Sequence, residues 1–297
     1  MKGNYICAIS AILIWSTMAA AVKILLASLP SLEALAISSF FAFLVLLVLN
    51  LWNSGAAVMR HYPLRDYLAA AALGFVGLFL YSALYYYGLS QLSSQEACIL
   101  NYLWPIMLVA FSCIILKEQM TAMKGAAMLC SFAGIVILST GSAGGSNGNR
   151  ALGMTSCVAA AACYGLFSVL NKKADKNQKI TMMVIWLTTA LCALTAGLMV
   201  EAWVPVSGVQ WLGLLWLGVA CDAAGYLLWA LALKGEENTA AIANLAYLTP
   251  FLSLVVSAVL LKEKIQVRMI VALVFIVGGI LLQQVWKRVQ SKRVVSR

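Results

Sequence analysis

The chain has 297 residues, of which 63% are hydrophobic and only 10% charged, and its mean hydropathy is +0.94. Soluble domains carry about 25% charged residues, so a water-soluble globule is excluded. The net charge of +10 comes from basic residues scattered at the ends of apolar segments, which form no patch for nucleic acid and instead report orientation in a bilayer.

Taken in chain order, apolar stretches of about 20 residues, the length that crosses the hydrocarbon, predict ten spans. The first five lie near Tyr5–Leu29, Leu32–Trp52, Tyr67–Leu89, Ala97–Leu116 and Ala122–Thr140. Lys2 and the small "AAA" at 19–21 fit a secretory signal loosely, but the apolar run is long and a second span follows at once, so it reads as an uncleaved helix. "STGSAGGSNGNR" (139–150) then has the Gly and Ser content of a flexible linker. The second five lie near Leu152–Leu170, Ile180–Val200, Val209–Leu233, Ala240–Leu261 and Met269–Val285, followed by the basic tail "WKRVQSKRVVSR", which reads as an anchor for that end. The predicted division is residues 1–140, a linker at 141–150, residues 151–286 and a tail at 287–297. No run alternates with period two, so strands are not a rival. The fold class is therefore an all-α membrane protein.

With the N-terminus inside, fifteen of the twenty Lys and Arg residues fall on the cytoplasmic side and five on the other. The positive-inside rule thus predicts both termini in the cytoplasm. The eight Cys lie in apolar segments without C-x-x-C, and the single His is His61, so neither a disulfide framework nor a metal site is expected. No P-loop occurs, so ATP does not drive the protein directly, and no cofactor is expected.

The halves repeat. "YLWPIMLVAFSCIILKE" (102–118) matches "YLTPFLSLVVSAVLLKE" (247–263) at an offset of 145 residues without a gap. The same offset pairs Gly134 with Gly279 and Tyr81 with Tyr226; a looser match pairs Trp15 with Tyr164 and Lys23 with Lys172. Five spans per half is an odd number, so the second half enters the membrane from the opposite side. Inverted repeats of this kind are a recurring device of secondary transporters. A membrane-embedded enzyme would need clustered nucleophiles, bases or metal ligands, and a channel a filter or charge ring; neither pattern is present.

These features resemble the drug/metabolite transporter superfamily, EamA-type, over essentially the whole chain: two five-span halves, "IWST" at 14–17 and two proline helices ending in "LKE". "NYLWP" (101–105) is similar to the motif of bacterial aromatic amino acid exporters, with "AYLTP" (246–250) as its partner, and Glu96 also fits the family. The resemblance implies ten helices as two inverted five-helix repeats in the cytoplasmic membrane of a bacterium. It also implies export of small metabolites, aromatic or other amphipathic amino acids first, by a monomer or homodimer whose partners are a small-molecule substrate and the lipid bilayer. The alternative is another metabolite or a cationic drug held by Asp222.

Candidate substrate-binding residues follow from the mid-span polar and aromatic positions. Pro105 and Pro250 free the carbonyls of Asn101 and Ala246, which in lipid must face protein or a water-filled cavity; both prolines are candidate hinges. Tyr102 and Trp104 lie about 200° apart on an ideal helix, so they share a cavity only if Pro105 distorts the turn; Tyr247 is the counterpart of Tyr102. Tyr81 and Tyr85 share one helix face, as do Asp222, Tyr226 and Trp229. Trp15 with Ser16 and Tyr164 with Asn171 complete the expected lining, while Tyr86 and Tyr87 fit an interfacial belt. An ionised carboxylate at the depth of Asp222 is costly and functional by default. Glu96 reads alternatively as an N-terminal dipole partner, and Glu118 and Glu263 as helix-end ion pairs.

Overall fold

A computed structural model describes residues 2–52, 55–140, 149–174, 176–233, 245–279 and 281. The described residues contain no strand. The elements are α1 (Lys2–Leu25), α2 (Ser31–Leu51), a short α3 (Gly55–Arg60), α4 (Leu64–Gln91), α5 (Ser94–Ile115), α6 (Ala122–Ser139), α7 (Arg150–Ala174) and α8 (Gln178–Val200). Next comes α9, made of Gly208–Leu215, Trp216–Ala224 and Gly225–Leu233 in succession. α10 (Ala246–Leu260) and α11 (Val267–Gly279) complete the described chain. Seven of these helices are long and apolar enough to cross a membrane, and α6, α10 and α11 are shorter apolar helices. Setting α3 aside, the ten predicted spans each hold one helix. Residues 240–244 of the predicted ninth span, the end of the tenth, Lys234, most of the linker and the basic tail lie outside the described residues.

Helix starts follow from local chemistry. Ser93, Thr121, Asn177 and Ser207 each accept a backbone N–H of the first turn through the side chain, and Ser207 forms a reciprocal capping box with Gln210. Glu201, just past the end of α8, accepts the N–H groups of Leu32 and Glu33 at the start of α2. Glu33 in return accepts the N–H of Val204. At the far end Asn50 Nδ2 donates to the Lys179 carbonyl. Bonds at both ends hold α2 and α8, the second helix of each half, as an antiparallel pair.

Packing exchanges elements between halves. α1 packs on α9 and α10, and its counterpart α7 packs on α4 and α5. α6 and α11 meet on the pseudo-two-fold axis, where residues touch their own counterparts. Ser131 Oγ donates to the Ile276 carbonyl at 3.2 Å and Cys130 Sγ lies 3.3 Å from the Phe275 carbonyl, each pair 145 residues apart. Gly134 and Gly279 permit this approach. A Cβ on Gly134 would sit 2.7 Å from the Ala272 carbonyl, and one on Gly279 2.6 Å from that of Ala127. These two clashes are also related by the repeat. Outside, side chains such as Ile114, Leu129, Met199 and Val259 are exposed, an apolar surface suited to lipid.

Two backbone features also repeat. Lys117 and Lys262 both adopt φ of 55°, a left-handed conformation uncommon outside glycine, and so end α5 and α10 at the same position. π-helical turns span Gly74–Phe79 in α4 and Trp216–Ala224 in α9, and both finish at equivalent residues. No sequence pattern foretold them.

Candidate functional site

A cavity of ≈ 480 Å³ lies between the halves. Trp15 reaches it from α1, Tyr81 and Tyr85 from α4, and Asn101, Tyr102 and Trp104 from α5. Tyr164 arrives from α7, Asp222, Tyr226 and Trp229 from α9, and Tyr247 from α10. All eleven candidate residues therefore line one wall system, together with Pro105. Pro250 is buried but does not line it.

The broken helices explain how α5 presents Asn101, Tyr102 and Trp104 to one space. The first segment of α5 ends at Asn101, Tyr102 and Leu103 form a turn, and a new segment starts at Trp104 with Pro105 in its first turn. α10 is built alike, with a 3₁₀ turn over Ala246–Leu248 and Pro250 in the first turn of the segment that follows. At that position proline costs little, because its missing N–H had no intrahelical partner. The break is also the distortion that lets Tyr102 and Trp104 face the same space. The carbonyl of Ala246 accepts the Tyr102 hydroxyl at 2.9 Å, so one half satisfies the break of the other.

The π turns place the remaining residues. In α9 the Gly225 N–H bonds to the Ala220 carbonyl, five residues back. The Cys221 carbonyl, its partner in a regular α-helix, instead accepts Trp15 Nε1 at 3.0 Å. An indole from α1 is thereby pinned to the turn that carries Asp222. π turns inside α-helices occur frequently at functional sites.

The rings form two groups related by the repeat. Tyr81 lies 5.0 Å from Tyr164, and Trp15 5.4 Å from Tyr226, centroid to centroid. Trp104 meets Tyr164 edge-on at 5.2 Å, and Trp229 adjoins Trp15 at 5.7 Å. The Tyr164 and Tyr226 hydroxyls, 3.4 Å apart, join the groups. Asn101 Nδ2 donates to the Tyr81 hydroxyl at 3.1 Å, while Asn101 Oδ1 is buried without a partner among the described residues. Asp222 is 3% exposed and makes no hydrogen bond or ion pair among the described residues.

Several expectations need correction. Ser16 is not in the lining; its hydroxyl bonds back to the Leu13 carbonyl. Asn171 pairs with Gln178 at the end of α7 instead of facing the cavity. Tyr86 is fully buried, not an interfacial-belt residue, because the packing of α4 turns it inward; Tyr87 is exposed. Glu118 forms the expected ion pair, with Lys124 at 3.0 Å, but Glu263 instead accepts the N–H groups of Ser94 and Gln95 and caps α5. Glu96 is held by Arg150 at 3.0 Å and Arg268 at 3.5 Å, and both guanidinium groups also donate to the Leu138 carbonyl. Trp186, Ser82, Thr249 and Ser253 line the cavity without having been singled out. Trp186, a lone indole in the middle of a span, was the one recognisable signal among them.

The EamA-like transporter family profile matches residues 3–140 and again 151–283. The aromatic amino acid exporter YddG of Ancylobacter novellus is 28% identical over 209 residues, which cover 69% of this chain and 72% of that protein. The uncharacterized transporter YvbV of Bacillus subtilis is 26% identical over 237 residues, covering 77% of this chain and 75% of that protein. A solved crystal structure superposes with a TM-score of 0.69 over 97% of this chain and 98% of that one at 23% identity, which is a likeness of fold. With two family matches that together take in nearly all of its residues, the chain belongs to the EamA-like transporter family.

Proposed function

We propose that this protein is a secondary transporter that exports small amphipathic metabolites, aromatic amino acids first, by alternating access in the cytoplasmic membrane. The observation that carries the reading is the central cavity itself. It lies between inverted halves, its walls are aromatic rings and hydroxyls, and two helices break beside it, as in other transporters of inverted-repeat design. Rings stack on apolar parts of a solute and hydroxyls bind its polar ends. The named function of the Ancylobacter relative supports the same substrate class. We place both termini in the cytoplasm on the charge distribution, and take the working unit as a monomer or homodimer.

Counterflow in proteoliposomes tests the substrate class. Vesicles preloaded with unlabelled tryptophan, phenylalanine or alanine are followed for uptake of labelled tracer without an imposed gradient. Exchange of the aromatic amino acids supports the reading; exchange of alanine alone overturns the substrate class.

A further inference from the structure

Among the described residues, the buried charges of Glu33, Glu96 and Lys124 and the half-buried charge of Lys23 are matched one by one, and Asp222 is the exception. Glu33 accepts the Val204 N–H, Glu96 is held by two arginines, Lys124 pairs with Glu118, and the Lys23 ammonium donates to the Leu89 and Leu92 carbonyls at 2.5 and 2.6 Å. Asp222, at 3% exposure, is comparably buried and has no such partner among the described residues. It stands in the cavity wall on a π turn, and Trp15 and Tyr226 line the same cavity.

The cavity's polar inventory is lopsided. Asn101 Oδ1 is a second buried acceptor without a donor among the described residues, and the described wall contains no Lys, Arg or His. A carboxyl group and an unmet acceptor among ring faces, with no cation among the described residues, suit a solute that brings donors and a positive charge. Among the described residues, the titratable side chains that feel Asp222 include Tyr81 and Tyr86 on α4, and Cys221 and Tyr226 on its own helix. None of them supplies a cation.

Building on the transporter reading, we propose that Asp222 is the ammonium-recognition and proton-exchange site of the cavity: it binds the ammonium group of an aromatic amine or amino acid, and releases a proton to water as that group arrives. The exchange balances simply. The carboxyl O–H proton leaves, the carboxylate keeps the electron pair and meets the ammonium, and the reverse occurs on the other side of the membrane. A carboxylate isolated in low dielectric is costly, so proton and ammonium compete for one position. No basic side chain among the described lining residues waits for the solute's carboxylate. An arylalkylamine is therefore carried at least as well as the corresponding amino acid.

The test uses the full-length protein and three probes that share an indole: tryptamine, tryptophan and indole-3-propionate, which lacks the ammonium. The wild-type protein in proteoliposomes is expected to exchange tryptamine and tryptophan but not indole-3-propionate. In weakly buffered, mildly acidic detergent solution, it is expected to release protons on addition of tryptamine. Asp222→Asn is expected to release none and to exchange tryptamine at least about tenfold more slowly, while Asp222→Glu retains release. Wild-type exchange of indole-3-propionate as fast as tryptamine, or absent proton release from wild-type protein that exchanges tryptamine, overturns the assignment and leaves the transporter reading standing. So does unchanged exchange and release in Asp222→Asn. The wild-type arms decide even if that variant does not fold. No wild-type exchange of any of the three overturns both readings.

Discussion

The Tyr102 hydroxyl and the Ala246 carbonyl, 144 residues apart and 2.9 Å from one another, tie the proline break of one half to that of the other. The Thr249 N–H also reaches this carbonyl, so the tyrosine adds a second bond where the helix is open. Tyr102→Phe removes only that bond. Hydrogen bonds between membrane helices average about 0.6 kcal/mol, so the melting temperature in detergent should fall slightly. A larger fractional loss is expected in exchange rate, because the bond joins the two segments that the proposed alternating access would move relative to each other. Paired melting and counterflow measurements check this, and a rate loss no greater than the stability loss would sink the coupling role.

Trp104→Ala empties the wall opposite Tyr164, whose ring meets the indole edge-on at 5.2 Å. Trp104 lines the cavity and is only partly buried, so insertion and folding should survive. Exchange of an aromatic solute should fall by at least about tenfold, since a stacking partner is worth on the order of 1 kcal/mol beyond its buried area. Wild-type flux in a well-inserted variant contradicts the cavity assignment.

Gly134→Ala places a methyl group 2.7 Å from the Ala272 carbonyl, against backbone that cannot rotate away. α6 and α11 must then separate, at a cost of about 1–3 kcal/mol. Gly279→Ala should cost a similar amount, because it meets the Ala127 carbonyl across the same axis. Gly125→Ala is the control: its added methyl meets nothing within 4 Å. Thermal unfolding of the three variants should separate the first two from the third.

Lys23 and Glu263 clamp the turn between α4 and α5 from opposite sides. The ammonium takes the last carbonyls of α4, and the carboxylate takes the first N–H groups of α5, each charge complementing the helix end it faces. Lys23→Met leaves two buried carbonyls without that donor and should destabilise the protein by about 1.5–3 kcal/mol. Glu263→Gln keeps one acceptor, but its NH2 then faces the second N–H, so one of the two bonds is lost with the charge and about 1–3 kcal/mol is expected. A melting curve that matches the wild type for either variant contradicts the clamp.

The sequence made the cavity lining legible because its residues sit where lipid would not tolerate them. Asn101, Asp222 and the mid-span tyrosines were conspicuous against hydrocarbon, and the repeat paired Tyr81 with Tyr226 and Tyr102 with Tyr247. The π turns were not legible. The π turn of α9 is matched by a distant side chain that takes the displaced carbonyl, for Trp15 is 206 residues from Cys221. Glu263 was misread for a similar reason. Its neighbours in sequence are lysines, whereas its partners, Ser94 and Gln95, are set by how the halves interlock. Tyr86 and Tyr87 are adjacent in sequence, and only packing against the rest of the bundle separates a core ring from a surface one.

The contact of α6 with α11 has a consequence for ancestry. Ser131 and Cys130 meet their counterparts in the repeat, Ile276 and Phe275, which is the self-complementary geometry of a two-fold homodimer written into a single chain. Such an interface exists before fusion does: a lone five-helix ancestor inserted in both orientations would already present each copy with its own mirror. Fusion then frees the two faces to diverge, and Asp222 marks how far they have, for its counterpart 145 residues earlier is Gly77. One half carries a bare backbone where the other carries a charge.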